Sequence, residues 1–188
     1  MSFSYYVGVD QSLTSPGVAV INDRGFVELA TSVSVDDKLR GTTRLRFIYG
    51  ALIAALHPYR DVRRTALEGP SLGSAHREFD LGEVSGITKL LLIGLNAEEP
   101  LVVPPLTLKL FATGNGLATK DDVLHVVKNT FKLDLGSKDD AADAFFLARI
   151  CWGLDHPNLL RRRCELDALK SLTRKKPTTT RARINPSL

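Results

Sequence analysis

The chain has 188 residues, of which 44% are hydrophobic, and a formal net charge of +4. That length suits one domain with its own core, and the longest apolar run, Leu90 to Leu95, falls far short of the roughly 18 residues that a membrane span needs. The charge is uneven: residues 160–188 hold nine basic and two acidic side chains, a local +7, while the remainder carries −3, so a polyanionic partner is expected. The first ten residues, MSFSYYVGVD, lack the basic-then-apolar order of a signal peptide and read as a strand. Cys151 and Cys164 have no CxxC spacing and no histidine at ligand spacing. A zinc site is therefore not expected, and reduced thiols in a cytoplasm are.

In chain order, YYVGVD (5–10) is β-branched and aromatic and ends in an acid. GVAVIND (17–23) follows a turn at Ser15-Pro16, and NDRG (22–25) forms a hairpin turn into the alternating FVELATSVSV (26–35). Three strands in a row predict an antiparallel meander. In 41–59, Leu45, Ile48, Leu52, Ile53 and Leu56 recur at helical spacing, and Pro58 stops the helix. RRTALEGP (63–70) is a second strand ending in an acid, closed by Gly-Pro, and 71–80 reads as a polar loop. Residues 80–96 form a helix apolar on most faces, which marks a core helix or a subunit interface. PLVVPP (100–105) is a short strand, 106–114 a short helix, and TKDDVLHVVKNTF (119–131) a helix capped by Thr119. SKDDAADAFFLA (137–148) opens a helix that runs to about Gly153. From Pro157 the chain turns basic and polar, and its last 14 residues read as flexible. The order β-β-β-α-β-α-β-α-α-α predicts a mixed α/β sheet with helices on both faces. The expected division is a body over 1–157 and a basic tail over 158–188.

Four acids stand out. Asp10 and Glu68 close two strands, and in mixed sheets functional groups gather at strand ends. Asp140 and Asp143 lie one helical turn apart, as do Asp139 and Asp143. Each has a plainer role open to it. Asp139 and Asp140 can cap a helix, Glu68 can pair with Arg63 or Arg64, and Asp10 can form an Asx turn. Together they offer four oxygen donors without nitrogen or sulfur, which suits Mg2+ or Mn2+.

VGVDQSLTSPGVAV, ALEGP, LKLFATGNGLATKDDV and DDAADAFFLARI, spread over residues 6–150, resemble the RuvC-type Holliday junction resolvases of the ribonuclease H-like nuclease superfamily. The resemblance implies a ribonuclease H-like fold with a five-stranded sheet. It implies that Asp10, Glu68, Asp140 and Asp143 bind a pair of Mg2+ or Mn2+ ions, with Lys120 completing the catalytic set. Lys109 and Lys120 match basic positions near the scissile phosphate, and Lys120 also follows a Gly-rich turn at a helix start, where phosphate is favoured. Asn115, Arg77, Phe79, Arg161, Arg162 and Arg163 are the further expected DNA contacts.

The implied activity is that of a crossover junction endodeoxyribonuclease. Acting as a homodimer, it would place paired nicks with 5′-phosphate ends in four-way or otherwise branched DNA, with helix 84–95 as the candidate interface. The sequence departs from the bacterial pattern at Gln11, where Pro is usual, and in GPSLGSAHREF, where Phe79 is the only aromatic. Leu-Glu-Gly-Pro and the basic tail are more similar to phage-encoded relatives, which would place the protein in a host cytoplasm. Two other readings remain. An actin- or hexokinase-type ATP-binding protein would need a Gly-rich turn after the first acid and a longer chain. A non-catalytic junction binder would not keep four acids that repel phosphate.

Overall fold

The computed structural model describes residues 3–69, 75–96 and 98–173, the side chains of 75–77 excepted. The elements are β1 (Tyr5–Asp10), β2 (Gly17–Asn22), β3 (Val27–Ser32), α1 (Gly41–Leu56), β4 (Val62–Glu68), α2 (Ala75–Asn96), β5 (Leu101–Val103), α3 (Pro105–Thr113), α4 (Lys120–Phe131), α5 (Asp139–Asp155) and α6 (Arg163–Thr173). A 3-10 turn spans Pro157–Leu159. The strands form one sheet in the order β3-β2-β1-β4-β5. The β1–β2 and β2–β3 pairs are antiparallel, while β1–β4 and β4–β5 are parallel. The meander and the two later strands thus lie where the residue pattern puts them.

The hairpin turn is built by Asn22, whose Oδ1 accepts from the backbone N–H groups of Arg24 and Phe26, each at 3.0 Å, while Gly25 takes a φ of +84°. Thr119 caps α4 reciprocally: its side chain accepts from the Asp122 N–H, and the Asp122 carboxylate accepts from the Thr119 N–H. Two boundaries differ from expectation. α2 begins at Ala75, so Phe79 sits on a helix and not in a loop. Beyond Gly73 that segment contains no Gly or Pro until Gly82, and nothing in AHREFDL stops the helix from extending toward its N-terminus. The other difference is α6, an 11-residue helix within the segment read only as basic and polar. Leu160, Ala168 and Leu169 are buried, and the fully buried Glu165 carboxylate accepts from Arg149 Nε at 2.6 Å. Arg149 in turn lies over the rings of Phe131 and Trp152. Arg162 Nη1 donates to the Ala112 carbonyl at 2.7 Å, so α6 is fastened across α3 and α5.

The alternation of strand side chains sorts the core into two layers. Val7, Val9, Val18, Val20 and Leu67 meet Ile48, Leu52 and Leu56 of α1 and Val84, Leu91 and Leu92 of α2. Tyr6, Ala19, Ile21, Ala66 and Val103 face the other way, onto α3, α4 and α5, where Phe111, Phe131, Phe145 and Phe146 pack edge to face. Helices on both faces bury β1 and β2, which explains their continuous apolar runs. Both cysteines are free, and burial pushes the Cys151 thiol well up.

α5 lies against the sheet backbone itself. A Cβ on Gly8 would overlap Ala144 O and Ala148 N and stand 2.7 Å from Leu147 Cβ. One on Gly17 would overlap the Asp140 carbonyl and reach 3.0 Å from Ala141 N. Gly8→Ala should therefore destabilise the protein by about 3 kcal/mol or more, because backbone and not a flexible side chain blocks the methyl. Gly50→Ala, where a Cβ meets nothing within 4 Å, should be neutral or stabilising by up to about 1 kcal/mol. Urea unfolding of the two variants checks this, and equal midpoints would contradict the close approach.

Candidate active site

The sheet register sets the first two acids side by side. β1 and β4 run parallel with Gly8 opposite Ala66 and Val9 opposite Leu67. One step further come Asp10 and Glu68, each the last residue of its strand. Both share the sheet face of Gly8 and Ala66, the face that α5 covers. The first two turns of α5 then deliver Asp139, Asp140 and Asp143. Gly17, paired with Asp10 across the hairpin, leaves the space into which the Asp140 backbone fits.

The result is a cluster of acids in a dry place. Asp10 is 5% exposed and Asp140 9%. Burial raises the Asp10 carboxyl well above its usual range, and Glu68, Asp143 and Asp140 push it further. Burial also raises Asp143, with Glu68 adding to it and Lys120 opposing, up to about 7. Glu68 is raised by burial and relieved by a hydrogen bond with Asp10 and by the fields of Lys109 and Lys120. Two acids at the other end of α5 and on α6 have arginine partners: Asp155 takes Arg64 Nε at 2.6 Å, and Glu165 takes Arg149. No arginine pairs with Asp10, Glu68, Asp140 or Asp143 among the described residues.

The plainer roles open to single acids are not the ones seen. Arg64 is on Asp155, and its neighbour Arg63 is not paired with Glu68 among the described ion pairs. Ser12, rather than Asp10, makes the local turn, its Oγ accepting from the N–H groups of Thr14 and Ser15. Among the described residues no group of three or more His, Cys, Asp or Glu side chains stands ready as a ligand shell. The acids instead lean on one another, and Asp140 accepts from the Ser15 hydroxyl. The donor set is nevertheless all carboxylate, which fits a hard divalent cation and not zinc or copper.

Lys120, the first residue of α4, forms an ion pair with Asp139 and stands 3.8 Å from Asp140. Burial pushes the Asp139 carboxyl up, but the ammonium outweighs it and holds the group below the usual carboxylate range. Lys109 on α3 is half-buried and close enough to influence Glu68. Asn115 is exposed on the α3–α4 turn, where its Oδ1 accepts from the Leu117 N–H at 3.0 Å. Phe79 is 71% exposed on α2, and the Arg77 side chain lies outside the described residues. Arg161 is exposed. Arg162, expected on DNA, is turned inward onto Ala112, and Arg163 pairs with Asp167 at 3.1 Å. Two neighbours escaped the sequence reading. Ser15 holds Asp140, and Gln11 Nε2 donates to the Glu68 carbonyl at 3.2 Å. Only their closeness to Asp10 in the chain hinted at either. A groove of about 390 Å³, lined by Gln11, Glu68, Leu81, Gly82, Ser85 and Lys89 among others, opens on the α2 side of the acids.

A mixed five-stranded sheet with acids at adjacent strand ends and at a covering helix defines a ribonuclease H-like nuclease. The family model for the crossover junction endodeoxyribonuclease RuvC matches residues 6–152. The chain belongs to the RuvC family. It is 26% identical over 141 residues to the RuvC of Hydrogenovibrio crunogenus, covering 73% of this chain and 81% of that one. It is 38% identical over 68 residues to the RuvC of Dictyoglomus thermophilum, where the match spans 36% of this chain and 42% of the relative. Thermus thermophilus RuvC has a similar structure, with TM-score 0.65 and 18% identity over 81% of this chain and 96% of that one. The structure of the same protein in complex with a Holliday junction substrate gives TM-score 0.63 and 19% identity over 77% and 90%.

The raised Asp143 carboxyl gives a pH signature. Its ordinary value is 3.8 and its folded value about 7, so the folded state holds the proton more tightly. That contribution to stability is complete at pH below the ordinary value and is lost as pH rises through the folded one. In EDTA, the melting temperature should therefore fall as pH rises from about 4 to about 7, and Asp143→Asn, which cannot ionise, should flatten the fall. Differential scanning calorimetry decides it, and an equal slope in both proteins would remove Asp143 as the cause.

Proposed function

We propose that this chain is a divalent-metal-dependent endonuclease that nicks four-way DNA junctions in symmetric pairs, leaving 5′-phosphate ends. The observation that carries the reading is the collection of Asp10, Glu68, Asp140 and Asp143 at one end of the β1–β4 pair, the first and third buried, the other two half-buried, and none with an arginine partner among the described residues. These carboxylates would hold Mg2+ or Mn2+, in a pair of ions. Bound there, the ions would supply Lewis-acid activation of water and charge stabilisation of the leaving 3′ oxygen. Lys120 and Lys109, the two ammonium groups whose fields reach Glu68, would position the scissile phosphate opposite the acids. Ser15 and Gln11 steady Asp140 and the Glu68 backbone. An ATP-binding role of the actin or hexokinase type finds no Gly-rich turn after Asp10. A purely binding role leaves the cost of the buried acids unexplained.

A homodimer fits a two-fold substrate. α2 supports one: Val84, Thr88, Leu91 and Leu92 are buried, while Gly82, Gly86, Leu90 and Gly94 line its outer face. A Cβ on any of these glycines meets nothing within 4 Å, and Leu90 is 70% exposed. Such a bare stripe lets a second helix approach closely. Phe79, on the same helix, would then border the junction centre, and the range of branched substrates would depend on it. No described helix is long and apolar enough to cross a membrane.

Asp10→Asn or Asp143→Asn should lower nicking of a synthetic four-way junction about a thousandfold or more, the loss of several kcal/mol of charge stabilisation. Junction binding measured in EDTA should stay within a few-fold. Unchanged cleavage would end the assignment. The tail can be tested without disturbing α6 by ending the chain at Thr173, which removes Arg174, Lys175, Lys176, Arg181 and Arg183. Affinity should fall, and the slope of log K against log salt should become shallower by up to about 4 if each cation meets a phosphate. An identical slope would show the tail to be idle.

A further inference from the structure

Asp139 is the one acid at this end of the fold that the four-carboxylate set leaves without a role. It is the first residue of α5, as Lys120 is the first of α4, so two helix starts meet there. No side chain caps α5. The Asp139 carboxylate instead stands in the first turn, at the helix end where negative charge is favoured, and Lys120 is its ion-pair partner there. Lys120 has the opposite character: a flexible stem and an exposed ammonium that can reach more than one anion. Two sets of anions compete for it. Asp139 holds it now, yet Asp140 is only 3.8 Å away, and the fields of Asp140 and Asp143 also act on it. An ammonium that moved this short way inward would sit among the acids as a monovalent cation.

We propose that Asp139 is a positioning residue that tethers Lys120 at the rim of the acidic cluster, so that the ammonium faces the incoming phosphate and does not compete with divalent ions for Asp140 and Asp143. This rests on the metal-site reading above. The span matched by the family model includes position 139, but the tether is a property of this chain's own pair of residues. With Asp139 neutralised, Lys120 settles onto Asp140 and Asp143 and the divalent ion must displace it.

The test is a Mn2+ titration of the full-length protein without DNA, read as the rise in melting temperature. Wild type is the control for the underlying reading: if Mn2+ does not stabilise it, the metal site fails and the tether falls with it. Given a wild-type response, Asp139→Asn should raise the Mn2+ midpoint about fivefold, the size of one exposed ion pair. Adding Lys120→Gln to that variant should restore the wild-type midpoint, and Asp139→Glu should keep it. Asp139→Ser, which retains an acceptor for the helix start, serves the same purpose if the Asn variant does not fold. An Asp139→Asn midpoint equal to wild type would overturn the proposal. So would a raised midpoint that Lys120→Gln fails to restore, because Asp139 would then act on the ion directly.

Discussion

Gly8 and Gly17 leave the sheet bare where α5 crosses it, and the arrangement of the acidic end depends on that contact. Side chains on either residue would lift the helix off β1 and β2, since backbone atoms of Asp140, Ala144 and Ala148 occupy the places of their Cβ atoms. The small residues Ala141, Ala144 and Ala148 complete the match from the helix side, all fully buried. With α5 so close, its first two turns come within electrostatic reach of the ends of β1 and β4. A lift of even one methyl diameter would separate Asp140 and Asp143 from Asp10 and Glu68, and the cluster would lose its coupling.

The two ends of α5 show how the fold treats buried charge. At the far end Asp155 accepts from Arg64 Nε and from the Tyr6 hydroxyl at 3.1 Å, a neutralised and satisfied arrangement. Burial and that carboxylate together push the Tyr6 hydroxyl up to about 12. At the near end, four acids lie within one another's fields, opposed by the ammonium groups of Lys109 and Lys120. Like charges held together in a low dielectric are destabilising unless protons or cations neutralise them. Such an arrangement costs stability at this end, as the proposed metal site would require. α6 lies beyond the matched residues 6–152, and its buried Glu165 reaches back to Arg149 on α5, which stiffens α5 from outside that shared body.

Much of this was legible in the residues. β1 and β4 announce themselves as apolar runs that end in acids, and the first turns of α5 as acids before a wall of alanine and phenylalanine. Position along the chain was enough to put Asp10, Glu68, Asp140 and Asp143 at element ends. What the residues could not supply was orientation. Ser15 lies 125 positions from the aspartate it holds, and Lys120 is 19 from Asp139, so neither contact leaves a local pattern. α6 was hidden for a different reason. Its amphipathic spacing is carried by few apolar residues among many charges, and its one buried acid has its partner on another helix. The resemblance to phage-encoded relatives has no counterpart in the fold, and the relatives matched here do not speak to it.

The central claim is that the four carboxylates close around hard divalent ions. A crystal of the full chain grown with Mn2+ and measured for anomalous scattering tests it most directly. The account predicts anomalous peaks within ligand distance of carboxylate oxygens of Asp10, Glu68, Asp140 and Asp143, with Lys120 still on Asp139. Data in which Mn2+ appears elsewhere, or in which the acids stay hydrogen-bonded to one another at saturating Mn2+, would contradict it.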